Sequence, residues 1–365
     1  MLRITHVISD ANVGGAGIQL AYLTEALRDT FDFEIIVPQG SALLSRLPKE
    51  GVRITPFSFS PESGLSFRDI RAFARYFRRT KPQIVHTHAA LSARVGALVA
   101  GIGPRLSTRH CAKKGVTALG SGQRALYNAC TTLTVATAKA AERDLIAEGI
   151  PRERIRTLLN GTPPTRCLSQ AQQAALRQLL GLRATDIVLG CCARLEHVKG
   201  QDLLLRAAAM LKPRYPSLHV LLVGDGGQRS ALQALTARLG LLRSVHFTGY
   251  VDDPAPYQNL FTVNVNPSRG TETSCLATSE CMSLGTPTVA SDFGGNPDMI
   301  EDGLSGRLFR TDDPTALAST LDELLSVPGR LPSMRDGARR VYREKFTLAG
   351  MANAYKQLYF SIIEH

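Results

Sequence analysis

Residues 186–212 read "DIVLGCCARLEHVKGQDLLLRAAAMLK". A short apolar run, a polar turn carrying Arg194 and Lys199, and a Leu/Ala-rich helical segment follow one another without a break. A strand that feeds a helix through a short turn is the repeating unit of a parallel sheet covered by helices. The same unit recurs on both sides of this stretch. "LRITHVIS" leads into "GIQLAYLTEALRD", and "FEIIVP" follows. "QIVHTH" precedes "ALSARVGALVAGIG" and then "RLSTRH", while "TLTVAT" runs into a helix from Lys139 to about Glu148. Downstream, "LHVLLVGD", "RSALQALTARLG", "SVHFTGY" and "FTVNVNPS" continue the alternation.

The rhythm stops at Pro163-Pro164, where neither helix nor strand can continue. The expected fold class is therefore α/β, with two doubly wound, Rossmann-like domains facing a cleft. The expected domains are residues 1–163 and 164–345, with a C-terminal helix over about 346–365 packing back on the first. That helix is expected to bury Met351, Ala354, Leu358 and Ile362. Ligands of such sheets bind beyond the carboxyl ends of the strands.

Composition sets limits on function. The chain is 44% hydrophobic and 20% charged, ordinary values for a globular protein. "MLRITHVISD" reads as a first strand rather than a signal peptide, and "VGALVAGIG" is too short to span a bilayer, so a cytoplasmic protein is expected. Seven scattered cysteines include no C-x-x-C pair and read as buried thiols in a reducing compartment. The net charge of +12 is uneven: residues 1–165 carry 22 Lys and Arg against 12 Asp and Glu. The first half should therefore meet something anionic.

Two cations at the strand-to-helix turn, Arg194 and Lys199, beside the positive end of a helix, suit a phosphate or diphosphate. A second stretch, "PSRGTETSCLATSECMSLGTPTVASDFGG" (267–295), places Glu272 in a loop beyond a strand. Ser274 is expected to cap a helix from about Cys275 to Leu284, with Glu280 inside it and Gly285 closing it.

"ARLEHVKGQDLL", "LLVGDGGQRSAL", "VHFTGYV" and the 267–295 stretch, in this order, resemble the retaining glycosyltransferases of family four, which adopt the two-domain GT-B fold. Glu272 and Glu280 fit that family's pattern of two glutamates separated by seven residues, followed by Gly294-Gly295. The resemblance implies a nucleotide-sugar donor, a UDP-sugar ahead of a GDP-sugar, with no metal or other cofactor. It implies that Arg194, Lys199, Gly15 and Ser274 hold the diphosphate and that Glu280 accepts from the ribose. Tyr250 and Val251 match the segment that meets the base, and Glu272 with His110 serves the transferred sugar. The sequence departs from the pattern at Thr273-Ser274-Cys275, which replaces Gly-aromatic-Gly, and at "NPDMI", where Asp298 stands near an absent glutamate. The mechanism the resemblance implies is retaining, through an oxocarbenium-like state, with same-face attack.

In the first domain, Gly14 and Gly15 form the turn after the first strand, without the G-x-G-x-x-G spacing of a dinucleotide site. His86, His88 and His110 end strands and are expected to point toward the cleft; no third metal ligand of suitable spacing accompanies the His-x-His pair. Gly14, His88, Lys113 and Lys114 are the acceptor or phosphate candidates. In "LSFRDIRAFARYFRRTKP", Arg68, Arg71, Arg75, Arg78 and Arg79 share one helical face. Phe67, Ile70, Phe73, Ala74 and Phe77 share the other. The basic face suits an anionic lipid surface, so peripheral docking on the inner membrane face is expected.

The expectation is a glycosyltransferase acting on a glycolipid or saccharide acceptor, with a lipid-linked envelope polysaccharide intermediate favoured. Alternatives are a soluble small-molecule acceptor, a nucleotide-sugar epimerase of the same fold, or a non-catalytic nucleotide-sugar sensor. Nucleic acid is not an expected partner: aromatics are only 6%, tryptophan is absent, and no helix-turn-helix pattern occurs.

Overall fold

The computed structural model describes residues 1–60, 64–113 and 115–364. Lys114 lies outside the described residues. The chain divides into two compact units, Met1–Thr162 with Leu348–His365, and Pro163–Thr347.

The first unit holds seven strands: β1 (Leu2–Ile8), β2 (Phe31–Pro38), β3 (Val52–Phe57), β4 (Ile84–His88), β5 (Arg105–Arg109), β6 (Leu133–Ala136) and β7 (Ile155–Thr157). They pair in parallel in the order β3-β2-β1-β4-β5-β6-β7. Chain order reverses between β1 and β4, so two loops diverge there and leave a crevice at the strands' carboxyl ends. All five residues of β4, Ile-Val-His-Thr-His, are buried, because helices cover both faces of the sheet.

One of those covering helices is the last of the chain, Leu348–Ile363. Met351, Ala352, Tyr355, Leu358 and Tyr359 form its buried face and join Ile4, Phe31, Phe33 and Ile84 in one core. Ala354 and Ile362, expected on that face, lie only at its margin. The two tyrosines shift the stripe, since their rings carry more apolar area than an alanine.

Helix Phe67–Thr80 packs Phe73, Ala74 and Phe77 inward, and the hydroxyl of its Ser66 cap accepts from the Asp69 N–H. Its five arginines are exposed. Phe67 does not join the inner face as expected: it is 86% exposed, because it opens the first turn, ahead of the packed segment.

The second unit holds six strands: β8 (Ile187–Cys192), β9 (Leu218–Val223), β10 (Val245–Phe247), β11 (Val263–Asn266), β12 (Thr288–Ser291) and β13 (Gly306–Phe309). Their order is β10-β9-β8-β11-β12-β13, again all parallel. The reversal lies between β8 and β11. The loops that leave these two strands, residues 193–200 and 267–275, carry Arg194, Lys199 and Glu272.

Candidate active site

In the second unit, a 3₁₀ turn His197–Lys199 precedes the helix Gln201–Leu211. Gly200 joins them at φ +68°, and a Cβ there would meet the Pro267 carbonyl oxygen at 2.1 Å. Only glycine fits this backbone and this gap, so the loop after β8 lies directly on the loop after β11. Arg269 fastens the second loop from its other side through Asp202 and Asp312.

The contact places Lys199 Nζ 2.9 Å from Glu272 Oε2, with both side chains largely buried. Burial opposes the Lys199 charge, but the Glu272 carboxylate outweighs it and holds the lysine above its ordinary value. The Ser268 hydroxyl lies 2.8 Å from Glu272 Oε2 and 2.7 Å from Asn266 Oδ1. The Thr273 N–H donates to Glu272 Oε1 at 3.2 Å. Behind them, Asn266 donates to Asn296, Asn296 to Ser291, and Ser291 to the Ser268 carbonyl. A buried polar network with its members paired fixes the carboxylate in one place.

This arrangement differs from the sequence expectation in one respect. Acidic and basic groups were expected to divide sugar and diphosphate between them, yet Lys199 and Glu272 form one ion pair. The ammonium keeps two further N–H donors, and Glu272 Oε1 keeps acceptor capacity. Arg194 is exposed, and its guanidinium has no partner among the described residues.

The helix after β11 spans Leu276–Ser283 with Cys275, not Ser274, as its cap residue. Ser274 is instead buried, one residue further out. Glu280 lies within the helix and accepts from the Gln258 amide at 2.7 Å. Burial raises its pKa, partly offset by the Gln258 bond. Gly294, at φ +62°, and Gly295 press on the backbone of Glu272 and Thr273; a Cβ on either would meet a carbonyl oxygen at 2.4 Å. Tyr250 is exposed, and Val251 packs at the edge of the Leu182–Phe261 cluster.

In the first unit, Gly14 is the cap residue of helix Gly15–Leu27, and space around Gly15 is open. Lys113 is exposed. The histidines do not all point outward as expected. His86 and His88 are buried side by side with His6, the three rings 4.8–5.3 Å apart between centroids, with His88 stacked on both others and His6 tilted by 31° to His86. Both ring nitrogens of His88 are engaged, by His6 at 3.0 Å and by His110 at 2.8 Å, so His88 stands behind His110 rather than beside a ligand. Among the described residues, His6, His86 and His88 are the group whose ligand atoms lie within 4.8 Å of one another. Each of their ring nitrogens has a protein partner: His6 meets Tyr359 and His88, His86 meets Tyr359 and Thr108, and His88 meets His6 and His110.

Sequence reasoning missed His6, Tyr359, Ser268 and Gln258. His6 could not have been found from sequence, because its place beside His86 follows from the register of β1 on β4.

The family description "Glycosyl transferases group 1" matches residues 186–327, and "Glycosyltransferase Family 4" matches residues 13–166. The chain belongs to the family 4 glycosyltransferases. It is 32% identical over 285 residues to D-inositol 3-phosphate glycosyltransferase 1 of Catenulispora acidiphila, covering 70% of this chain and 66% of that one. It is 30% identical over 225 residues to the putative glycosyltransferase EpsD of Bacillus subtilis, covering 59% and 58%. These alignments thus span about two thirds or less of either relative. The fold is shared with Anabaena HepE in complex with UDP, at a TM-score of 0.85 and 20% identity, covering 99% of this family 4 chain and all of that one.

Proposed function

We propose that this protein moves a hexose from a nucleotide-diphosphate sugar, a UDP-sugar, to a hydroxyl acceptor with retention at the anomeric carbon. The observation that carries this reading is the Lys199–Glu272 pair at the β8/β11 reversal, with the unpartnered Arg194 on the same loop. In this reading Arg194 and Lys199 neutralise the departing diphosphate, with Ser274 and Gly15 as further phosphate contacts and no metal required. Glu272 Oε1 accepts from a sugar hydroxyl, Glu280 from the ribose, and Tyr250 and Val251 meet the base. Anabaena HepE, which shares the fold, is solved in complex with UDP-glucose.

Glu272 is tied to Lys199, Ser268 and Thr273, which makes it a poor nucleophile and a good fixed acceptor. We therefore favour attack on the face the diphosphate leaves, with a phosphate oxygen of the leaving group taking the acceptor's proton. His110 donates to or accepts from a substrate hydroxyl, with Gly14 and, three residues past His110, Lys113 as contacts for an acceptor.

Two acceptor classes have support. The exposed arginine face with Phe67 and Leu65 beside it suits a glycolipid at an anionic membrane surface. Among the described residues no helix is long and apolar enough to cross a membrane. A small phosphorylated polyol is supported by the names of the curated relatives and by Lys113 in the loop after His110. A thermal-shift panel of uridine, guanosine and adenosine diphosphate sugars tests the donor: UDP-sugars should raise Tm with concentration. Equal or absent shifts across all three bases would contradict the reading.

A further inference from the structure

A chain of hydrogen bonds runs through the core of the first unit. Tyr359, on the last helix, places its hydroxyl 2.9 Å from His86 Nδ1 and 3.3 Å from His6 Nε2. His6 Nδ1 then meets His88 Nε2 at 3.0 Å, and His88 Nδ1 meets His110 Nε2 at 2.8 Å. On the other branch, His86 Nε2 meets Thr108 Oγ1 at 2.7 Å. His6, His86, His88 and Tyr359 are each no more than 1% exposed, while His110 sits at the end of β5 and is partly exposed.

A neutral imidazole has one N–H and one lone pair, so each link constrains the next. With its single proton, the Tyr359 hydroxyl donates to one branch and accepts from the other. If it donates to His6, then His6, His88, His110 and His86 all carry their proton on Nδ1. If it donates to His86, all four carry it on Nε2. A mixed set would require the hydroxyl to accept from both rings, leaving its own buried O–H without an acceptor, which the low polarity of the core disfavours.

We propose that Tyr359, His6, His86 and His88 are positioning residues that fix the tautomer of His110, and thereby whether its Nδ1 is an N–H donor or a lone-pair acceptor. Burial favours neutral rings throughout: it lowers His6 to about 3 and His110 to about 4, and lowers His86 and His88 well below the ordinary value. It also keeps the Tyr359 hydroxyl protonated. The other groups facing the chain are Tyr355, whose ring lies 6.2 Å from His86, and Arg94, whose charge further disfavours protonation of His86. The relay makes structural sense of the returning C-terminal helix, which supplies the hydroxyl that closes both branches. The link from His110 to substrate rests on the functional reading above; the relay itself does not.

The test is side-chain ¹⁵N NMR of the full-length protein with labelled histidine, eight rings in all with two nitrogens each. At neutral pH, His6, His86, His88 and His110 should be neutral and share one tautomer. Tyr359→Phe, which keeps the ring, should break that uniformity. An opposite tautomer at His110, a protonated member of the set, or signals indifferent to Tyr359→Phe would overturn the relay. In donor kinetics, Tyr359→Phe should lower kcat about fivefold, the worth of one net hydrogen bond, with a smaller change in KM. A tautomer change with unaltered kinetics keeps the relay and removes His110 from the substrate site.

Discussion

Lys199 and Glu272, 73 positions apart in sequence, meet at 2.9 Å between the loops that leave β8 and β11. Each is the other's chief electrostatic partner, so neither can be altered alone. Glu272→Ala should therefore do two things. It removes the fixed acceptor and lowers turnover at least tenfold, and it strands a largely buried ammonium. The second effect should cost about 2 kcal/mol, less than the 3–5 typical of a fully buried pair because Lys199 keeps some solvent exposure. Melting curves and steady-state kinetics read the two effects separately. Unchanged turnover would remove Glu272 from the site.

Gly294 bears on the same carboxylate from behind. Gly294→Ala meets both a left-handed backbone and the Glu272 carbonyl oxygen, whereas Gly303→Ala, at φ +79°, meets only the backbone strain in open space. Gly303→Ala should cost about 1 kcal/mol and leave kcat/KM intact. Gly294→Ala should cost more and lower kcat/KM, because the Glu272 loop must shift. Equal behaviour of the two variants would show that the close approach does not position Glu272.

The buried histidines give stability a pH dependence of known sign. Their folded values lie below the unfolded value of 6.5, so the unfolded chain binds more protons than the folded one as pH falls. Their contribution is fully present above pH 6.5 and is lost as pH falls toward about 4. Each histidine contributes at most about 1.4 kcal/mol per pH unit in that window. Glu280, raised by burial, opposes this with stability that is lost as pH rises through its titration. Thermal melts between pH 7 and pH 4 should show a steep acid loss in the wild type and a shallower one in His6→Asn. Identical slopes would refute the assignment.

Much of the fold was legible because parallel strands buried on both faces read as uninterrupted apolar runs, as in "LHVLLV" and "IIVP". Arg194, Lys199 and Glu272 stood out only through the ordered set of motifs that resembles family four, since charges in loops after strands are common on their own. What could not be read was pairing. Nothing in the sequence says that Lys199 bonds Glu272, that Ser268 and Asn266 brace it, or that the Ser274 cap slips to Cys275. His6 and Tyr359 were hidden for a related reason: a buried histidine in an apolar strand is indistinguishable from an exposed one until its register with β4 is known.

On helix Phe67–Thr80 the structure sorts the basic face. Arg68 lies 3.3 Å from Asp69, Arg78 bonds the Val99 carbonyl, and Arg79 stacks over Tyr76. Arg71 and Arg75, with the exposed Phe67, are the groups best placed to meet anionic lipid. On vesicles containing phosphatidylglycerol, the Arg71→Gln/Arg75→Gln pair should weaken binding by about 2 kcal/mol at low salt. Equal flotation of variant and wild type would rule this helix out.

For a nucleotide diphosphate held beside Arg194 and Lys199, Arg194 offers the cleanest probe, because its side chain is exposed and braces no other group among the described residues. Calorimetric titration of UDP-glucose into wild type and Arg194→Gln should show an affinity at least about tenfold lower in the variant, the loss of one charge-assisted bond, at unchanged Tm. Equal affinity in the two proteins would contradict the account.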